Sequence, residues 1–589
     1  MRYVVSRPQK CLLKVLTYAL TDDVLKFYGK SLETHKGCDI LDINPGAGLW
    51  SQKLHDFLQP RSHVLLESNA SFKPFLEPLL DTPNSTYKLI QKNTLELETY
   101  ADLVKEGVFP EQNRVDPEDT SGQELNTTLL VTGMLAWDPV LPGLSFDSMA
   151  KQLYNHFASA VRTNDYFHAY GRVRTLFWVG AEDFRPIIAE SMSRYEKNNC
   201  LLELTQGMDM IVNAPRGARK QGRGAPSREP QYEVEGIVRA MQRARANGMD
   251  LPAHREDKAH KVAAEVEKLS GGSGKSSVTW LNDYLSKRHA EGFTARGLLT
   301  EATLEHQNQM LELQKRYPDI DLAAMGNAKE ANKSKRVTNY WIGKEDHPAR
   351  KEVTAWVSHK VADRAVIKLK EHFDSIADLG EEMYNAECRA LRMQDGTEEK
   401  KELLNQIADM DKKLDKLMAT VKVNYKVVPL GIMDDRISLR SPQHPRIQWD
   451  RRSFEPLTMD PEEAWPPHGL SLISSTPYPR PPGQTIDHYE WVQDFVYALF
   501  TIPSSGLPEA LERMQHGLSE LLEKCPSVRD PDKGGRLQMK HFRVRMLTNE
   551  MIEELVSAYR AWPFKEPGTD HNRYFRWKGS NRSQEVGAR

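Results

Sequence analysis

This sequence of 589 residues has no closely paired cysteines, no long apolar run and almost no net charge. Its five cysteines form no CxxC pair, which disfavours a disulfide framework or a metal site and is typical of a reducing compartment. No apolar run approaches the roughly 20 residues of a membrane-spanning helix, so we expect no membrane partner. The formal net charge of −2 excludes a protein-wide positive field, so any basic site must be local.

The first 21 residues contain basic side chains but no acidic one. The basic residues are Arg2, Arg7, Lys10 and Lys14. This composition is typical of a mitochondrial targeting peptide. A basic, partly helical arm of the mature domain is the alternative.

The stretch from Asp39 to Trp50 predicts a strand, a glycine turn and a helix. A short apolar run leads into Asn-Pro-Gly-Ala-Gly, and a helical pattern of apolar residues follows. Gly46 and Gly48 lack a Cβ atom, so the backbone can turn sharply there and a ligand can approach it closely. The helix behind the turn offers free N–H groups at its N-terminus.

A second strand, Val64 to Leu66, ends at Glu67. In a doubly wound fold, an acidic residue at the tip of the second strand holds the hydroxyl groups of a ribose. The glycines, the acidic residue and their spacing together therefore indicate a nucleotide-type cofactor. A sharp turn without a ligand remains the alternative interpretation.

Further strands alternate with helices along the first 210 residues. We expect them at residues 87–90, 128–132, 173–179 and 201–204, with a helix at 146–161 before the fifth strand. This alternation predicts an α/β fold, with a mostly parallel sheet covered by helices on both faces.

The amino-acid composition of the chain changes at Ala214. Residues 215–230 hold five basic side chains among Gly, Ala and Pro, which predicts either a solvated linker or a flexible basic arm for phosphates. From Asp257 to Lys422 the pattern is charged and helical. Apolar residues spaced 4, 3, 4, 3 and 4 apart from Leu403 to Val421 form a heptad seam, which predicts an antiparallel helical insertion.

From about Val427 the sequence again shows the apolar patterns of a folded domain. Residues 470–473 predict a returning strand, and three apolar helical patterns follow, the second running from Leu511 to Leu522. The tail, residues 571–589, mixes cations with aromatic rings, which suits single-stranded nucleic acid because cations bind phosphates and rings stack on bases. A disordered tail whose rings dock on its own domain is the alternative.

Several motifs in order resemble the mitochondrial transcription factor B family, relatives of the ribosomal RNA adenine N6-dimethyltransferases. They are the Leu-Asp-Ile-Asn-Pro-Gly-Ala-Gly turn (41–48), Leu-Leu-Glu (65–67) with Phe-Leu (75–76), Tyr-Gly-Arg-Val-Arg-Thr-Leu-Phe-Trp (170–178), Trp-Asp (449–450), Trp-Pro (465–466) and Ala-Trp-Pro-Phe-Lys (561–565). The resemblance covers roughly residues 20–210 and 440–570 and omits the insertion. It implies a Rossmann-like S-adenosylmethionine-dependent methyltransferase fold with a helical insertion and a small α-helical C-terminal domain.

The chain departs from active dimethyltransferases at positions that carry the chemistry. The family's Asn-Leu-Pro-Tyr-type motif holds the target adenine with an amide and a stacked ring. The corresponding stretch here resembles Leu130 to Gly133, which offers neither group. The acidic residue expected after the third strand corresponds to Asn93, whereas Glu67 and the glycine turn remain. We therefore expect a vestigial cofactor site and no catalytic residue.

The resemblance and the tail composition assign the candidate site residues. The cofactor site would comprise Asp42, Asn44, Gly46, Gly48, Glu67 and Asn93. Contacts with nucleic acid would come from Arg172, Arg174, Arg573, Tyr574, Phe575, Arg576, Trp577 and Lys578.

The same patterns divide the chain into six segments. They are an N-terminal arm or targeting segment (1–30), a Rossmann-like domain (31–214), a charged linker and helical insertion (215–425), the remainder of the methyltransferase-fold domain (426–505), a helical C-terminal domain (506–570) and the basic-aromatic tail (571–589).

These features have three functional interpretations. The resemblance implies an initiation factor of the mitochondrial matrix that recognises and melts promoter DNA with mitochondrial RNA polymerase, for which S-adenosylmethionine is not required. The alternative is an S-adenosylmethionine-dependent dimethyltransferase of small-subunit ribosomal RNA. A ribosome-assembly scaffold that binds this RNA without catalysis is the third.

Overall fold

The computed structural model describes residues 11–12, 15–116, 119–144, 146–184, 187–219, 228–322, 340–442 and 444–565. These residues fall into two compact units. The first is drawn from Met1–Pro215, Ala240–Glu256 and Ser438–Arg589, and the second from Arg216–Arg239 and Asp257–Ile437.

The first unit is built on an eight-stranded sheet. In chain order its strands are β1 (Asp39–Ile43), β2 (Ser62–Leu66), β3 (Tyr87–Ile90), β4 (Leu125–Leu135), β5 (Arg172–Gly180), β6 (Gln206–Asn213), β7 (Leu457–Thr458) and β8 (Leu470–Pro477). Across the sheet the order is β7-β6-β8-β5-β4-β1-β2-β3. Only β8 runs antiparallel to its neighbours, β5 and β6; the other adjacent pairs are parallel.

Helices occupy most of the remaining described chain. In chain order they are α1 (Tyr18–Tyr28), α2 (Leu49–Leu58), α3 (Lys73–Leu80), α4 (Leu97–Lys105), α5 (Met149–Thr163), α6 (Ala181–Phe184), α7 (Lys197–Thr205), α8 (Pro230–Ala246), α9 (Lys258–Leu269), α10 (Val278–Ala290), α11 (Glu301–Arg316), α12 (Arg350–Arg392), α13 (Glu398–Thr420), α14 (Val427–Leu439), α15 (Gln448–Arg451), α16 (Ile486–Leu499), α17 (Leu507–Met514) and α18 (Asn549–Ala561). Within the part of the chain that the structure describes, no helix is both long and apolar enough to cross a bilayer.

This arrangement confirms the predicted Rossmann-like methyltransferase fold. The strands predicted around residues 39–43, 64–66, 87–90, 128–132, 173–179 and 470–473 are all present, most of them longer than expected. All residues of β1, β2 and β5 are buried, as expected for strands covered on both faces. A helical region, α17 and α18, lies at the C-terminal end of the described chain.

The main core lies against β4 and β5. Helix α1 buries Leu20, Val24 and Phe27 along one stripe, which is the spacing of a helix packed on one side. Trp50 of α2 meets the fully buried Trp178 of β5 edge to face, with ring centroids 5.7 Å apart. Burial of these large apolar surfaces holds α1 and α2 on the sheet.

The predicted sixth strand at residues 201–204 is wrong. These residues lie in helix α7, and strand β6 begins immediately after it at Gln206. The side chains of Leu201, Leu202 and Leu204 are all buried, as is Glu203 between them. A helix buried around most of its circumference has no polar face, so its short apolar run cannot be distinguished from a buried strand.

The predicted second C-terminal helix is interrupted. Helix α17 ends at Met514, and a separate 3₁₀ segment runs from Leu518 to Lys524. Gly517 lies between them with φ of 81°, a left-handed conformation that ends a helix and that glycine adopts at little cost.

The second unit contains the predicted helical insertion. Helices α12 and α13 are joined by a short turn, and the Nε2 atom of His372 lies 2.9 Å from Oγ1 of Thr420, which confirms an antiparallel pair. Leu403, Ile407 and Leu414 of the heptad seam are buried. A bidentate ion pair fixes another part of this unit: two guanidinium nitrogens of Arg436 donate to the two carboxylate oxygens of Glu229 at 2.7 and 3.0 Å.

Residues 240–256 change the predicted boundary of the insertion, because they belong to the sheet unit. Ala244 is part of the main core. The Arg255 side chain is 6% exposed, and it bonds Asp23 of α1 at 2.6 Å and both oxygens of Glu463 at 2.6 and 2.9 Å. A segment of mostly polar sequence is thus fixed by a buried ion-pair network, for which sequence periodicity gives no signal.

We expect Arg255→Met to destabilise the sheet unit by about 3 kcal/mol, because it leaves two partly buried carboxylates without their cation. Chemical denaturation followed by tryptophan fluorescence measures this loss. His254→Ala is the matched control, since His254 contacts the same Asp23 but its side chain is 64% exposed. Its expected cost is below about 1 kcal/mol. Equal losses of stability in the two variants would contradict a stabilising role for the buried ion pairs of Arg255.

Candidate functional site

The glycine turn follows β1 directly. Asn44, Gly46 and Gly48 have positive φ values of 54°, 59° and 78°. Gly48 caps α2, and its N–H donates to the carbonyl of Pro45 at 3.0 Å. A Cβ atom at Gly48 would lie 3.0 Å from Leu76, so glycine is required by both conformation and space. The turn therefore has the predicted form.

Glu67 follows β2 and points back at this turn. Its Oε2 atom accepts the N–H of Gly46 at 3.3 Å, and its Oε1 atom accepts the N–H of Asn69 at 2.8 Å. The residue is 1% exposed. Burial raises the pKa of Glu67 to about 7, and the nearby charge of Asp42 adds to the rise while the backbone donors oppose it.

Asn44 links the ends of three strands. Its side-chain N–H donates to the carbonyl of Met134 in β4 at 3.1 Å, and its Oδ1 atom accepts the hydroxyl of Thr94 at 2.8 Å. Behind it, Asp42 accepts the hydroxyl of Ser51 at 2.5 Å. Both Asn44 and Asp42 are almost fully buried. The described strand ends are therefore connected by the protein's own hydrogen bonds.

Asn93 does not join this network. Its side chain is exposed, donates to Glu96 at 2.7 Å and accepts the backbone N–H of Leu95 at 3.1 Å. The neighbouring residue, Thr94, is 2% exposed and reaches Asn44 instead. Which of these two adjacent side chains faces inward is not revealed by residue types alone.

The end of β4 lies beyond the stretch predicted to match the methyltransferase motif. Gly133 pairs with Ile43, and the strand continues to Leu135. The residues at this edge are thus Met134 to Trp137, which supply no amide side chain but do supply a ring. That ring, Trp137, is 6% exposed. A ring buried to this extent is not available to stack on a base.

The polar atoms that would hold S-adenosylmethionine are enclosed in the described conformation. A ribose would need the carboxylate of Glu67, yet both of its oxygens accept backbone N–H groups and the residue is 1% exposed. Asn44 is fully buried by its bonds to Met134 and Thr94. Cofactor binding would therefore require this enclosed site to open.

Two of the arginines predicted to contact nucleic acid, Arg172 and Arg174, are not on the surface. Arg172 and Arg174 are 3% and 5% exposed. Arg174 donates to the hydroxyls of Ser474, Tyr28 and Ser31 and to the Ser31 carbonyl, over distances of 2.6 to 3.1 Å. Because such bonds fix the side chain inside the fold, we assign Arg174 a structural role. The predicted tail residues, Arg573 to Lys578, lie outside the described residues.

The raised pKa of Glu67 predicts a pH-dependent stability. Its value rises from 4.5 to about 7 on folding, so its contribution is present at low pH and is lost as pH rises towards 7. Relative to Glu67→Gln, the wild type should lose about 2.5 kcal/mol of unfolding free energy between pH 5 and pH 8. Urea denaturation measures this difference. Glu77→Gln, at a half-exposed carboxylate, is the control and should show no such trend. A pH-independent difference for Glu67→Gln would contradict the burial of a neutral acid.

Comparison with known proteins agrees with this fold. The family model described as "Ribosomal RNA adenine dimethylase" matches residues 25–243. The matched range includes the glycine turn, Glu67, the end of β4 and strands β1 to β6.

Curated relatives are similar over a smaller share of the chain. "Mitochondrial transcription factor 1" of Saccharomyces paradoxus is 22% identical over 162 residues, which is 27% of this chain and 42% of that protein. The proteins of the same name from Lachancea kluyveri and Saccharomyces cerevisiae are 21% and 22% identical, over 26% of this chain and 39% of theirs. The chain thus spans about two fifths of the length of the relatives it matches. With its ribosomal RNA adenine dimethylase-type domain, the chain is similar to the mitochondrial transcription factor B family, as its motifs predict.

Proposed function

We propose that this protein is an initiation factor that confers promoter recognition and melting on mitochondrial RNA polymerase. One observation carries the proposal: Glu67 and Asn44 use their polar atoms inside the protein, where a methyltransferase would use them for its cofactor. The fold would then act as a scaffold for binding. The similarity to proteins named mitochondrial transcription factor 1 supports this role.

The proposed role determines the partners and the compartment. The factor would contact mitochondrial RNA polymerase and promoter DNA in the mitochondrial matrix. Basic residues near the N-terminus are consistent with import into this compartment. S-adenosylmethionine would not be required, because trapping unpaired bases needs stacking rings and cations rather than a methyl donor.

The alternative function is dimethylation of adenines in small-subunit ribosomal RNA with S-adenosylmethionine. The glycine turn and Glu67 favour it, since both have the form that a cofactor site needs. The absence of an amide at Met134 to Trp137 disfavours it, because methylation requires the target amine to be held in position.

Two assays on the same protein preparation distinguish these functions. With cognate polymerase, we expect the protein to open duplex promoter DNA, measured by fluorescence of a base analogue near the start site. With labelled S-adenosylmethionine and small-subunit RNA, we expect no transfer above the level without protein. Robust dimethyladenosine together with no promoter opening would replace the proposal by the alternative.

The basic-aromatic tail should supply part of the contact with unpaired DNA. Replacing Tyr574, Phe575 and Trp577 by Ala should weaken capture of a pre-melted promoter by about 1–3 kcal/mol per stacked base, with little effect on duplex binding.

The matched control replaces Arg573, Arg576, Lys578 and Arg582 by Gln. Loss of phosphate contacts should weaken binding to both DNA forms and flatten its salt dependence. If truncation after Thr569 leaves promoter opening and crosslinking to the template strand unchanged, the tail has no such role.

A further inference from the structure

Three arginines converge at the edge of the sheet where the parallel strands begin. Arg172 is the first residue of β5, Arg162 lies in the last turn of α5, and Arg480 follows β8. Because β8 runs antiparallel to β5, with Ser475 opposite Thr175, the chain leaving β8 passes the start of β5.

Backbone hydrogen bonds fix this convergence. Arg480 exchanges two backbone bonds with Gln123, at 2.8 and 3.0 Å. Gln123 lies just before β4, whose first residue, Leu125, pairs with Arg172. On the other side, Arg162 donates to the carbonyl of Leu204, next to the segment where Tyr478 bonds Thr205.

Of these three arginines, Arg172 is the one whose side chain has no hydrogen-bond acceptor within the described residues. It is 3% exposed, and its Nε atom is enclosed without a hydrogen bond. Within the described residues, its side chain donates to no acceptor and pairs with no carboxylate. Arg162, by contrast, bonds Leu204 and stacks over the Tyr489 ring at 4.8 Å. Arg480 donates to the carbonyl of Asp119.

The charge of Arg172 persists at neutral pH. Burial lowers its pKa to about 10, and the positive charges of Arg162 and Arg480 add to this effect. This value is still far above 7, so the guanidinium remains protonated. A buried cation next to two others is unfavourable unless an anion neutralises it.

We propose that Arg162, Arg172 and Arg480 form a binding site for a phosphate group. Guanidinium groups match phosphate because their N–H pairs fit two oxygens at once, and several of them neutralise its double charge. This edge of the sheet is opposite the glycine turn, which follows the carboxyl end of β1, so the site is separate from the cofactor site. The phosphate belongs either to the free anion or to the backbone of a nucleic acid.

Thermal unfolding of the full chain in a phosphate-free buffer, with and without inorganic phosphate, tests the site. We expect phosphate at 100 times its Kd to raise the Tm of the wild type by about 3 °C. Arg172→Met should raise the Tm without phosphate, because it removes an unpaired buried charge, and should abolish the phosphate-induced shift. Arg172→Lys, which keeps the charge but not the fork, should retain the fold and show a smaller shift.

Arg174→Met is the matched control on the same strand. Because Arg174 has acceptors inside the protein, its replacement should lower the Tm both with and without phosphate, by the same amount. The proposal is overturned if Arg172→Met lowers the Tm in the absence of phosphate, if it keeps the phosphate-induced shift, or if the wild type shows no shift.

A competition experiment identifies the source of the phosphate. A short single-stranded DNA without terminal phosphates is bound to the wild type, and inorganic phosphate is added at constant ionic strength. Displacement that Arg172→Met abolishes assigns the site to a backbone phosphate. If DNA binding is the same in both proteins while the Tm shift remains specific to the wild type, the ligand is the free anion.

Discussion

A sheet covered on both faces must satisfy its polar side chains inside the protein, and this constraint organises the first unit. Asp39 and Asp42 lie on the fully buried strand β1. Asp39 binds Arg61 through both of its oxygens, at 2.8 and 3.0 Å, and accepts the amide of Gln112 at 2.7 Å. Asp42 accepts the hydroxyl of Ser51. A buried charge without partners costs free energy. The bonds to Arg61, Gln112 and Ser51 avoid this cost, and they connect β1 to the segments around it.

The same constraint applies at the candidate cofactor site. A carboxylate at the tip of β2 can serve a bound ribose or the protein's own backbone, and Glu67 serves the N–H groups of Gly46 and Asn69. Asn44 likewise bonds Met134 and Thr94. Once these bonds form, the strand ends gain stability and a ligand must compete with them. The side chains that would hold a ribose thus also stabilise the strand ends of the ligand-free protein.

The sequence predicted the sheet better than it predicted the site. Short apolar runs located most of the strands because burial on both faces leaves a simple pattern. The same pattern misassigned residues 201–204, where a buried helix is equally apolar. The site depends on which of two adjacent side chains faces inward, as with Asn93 and Thr94, and on partners far apart in sequence. The bonds of Arg255 to Asp23 and Glu463 join residues more than 200 positions apart, which local periodicity cannot reveal.

Arg172 and Arg174 show why residue type alone cannot assign a role on a buried strand. They are two positions apart on β5, similarly buried and identical in chemistry. Arg174 meets acceptors at Ser31 and Ser474, 143 and 300 residues away, whereas Arg172 meets two further cations. Arginine keeps its charge at neutral pH, so each of these buried side chains needs acceptors. The fold supplies them to Arg174, and the proposed phosphate would supply them to Arg172. Counting acceptors for each buried cation therefore separates a structural arginine from one that is placed to bind.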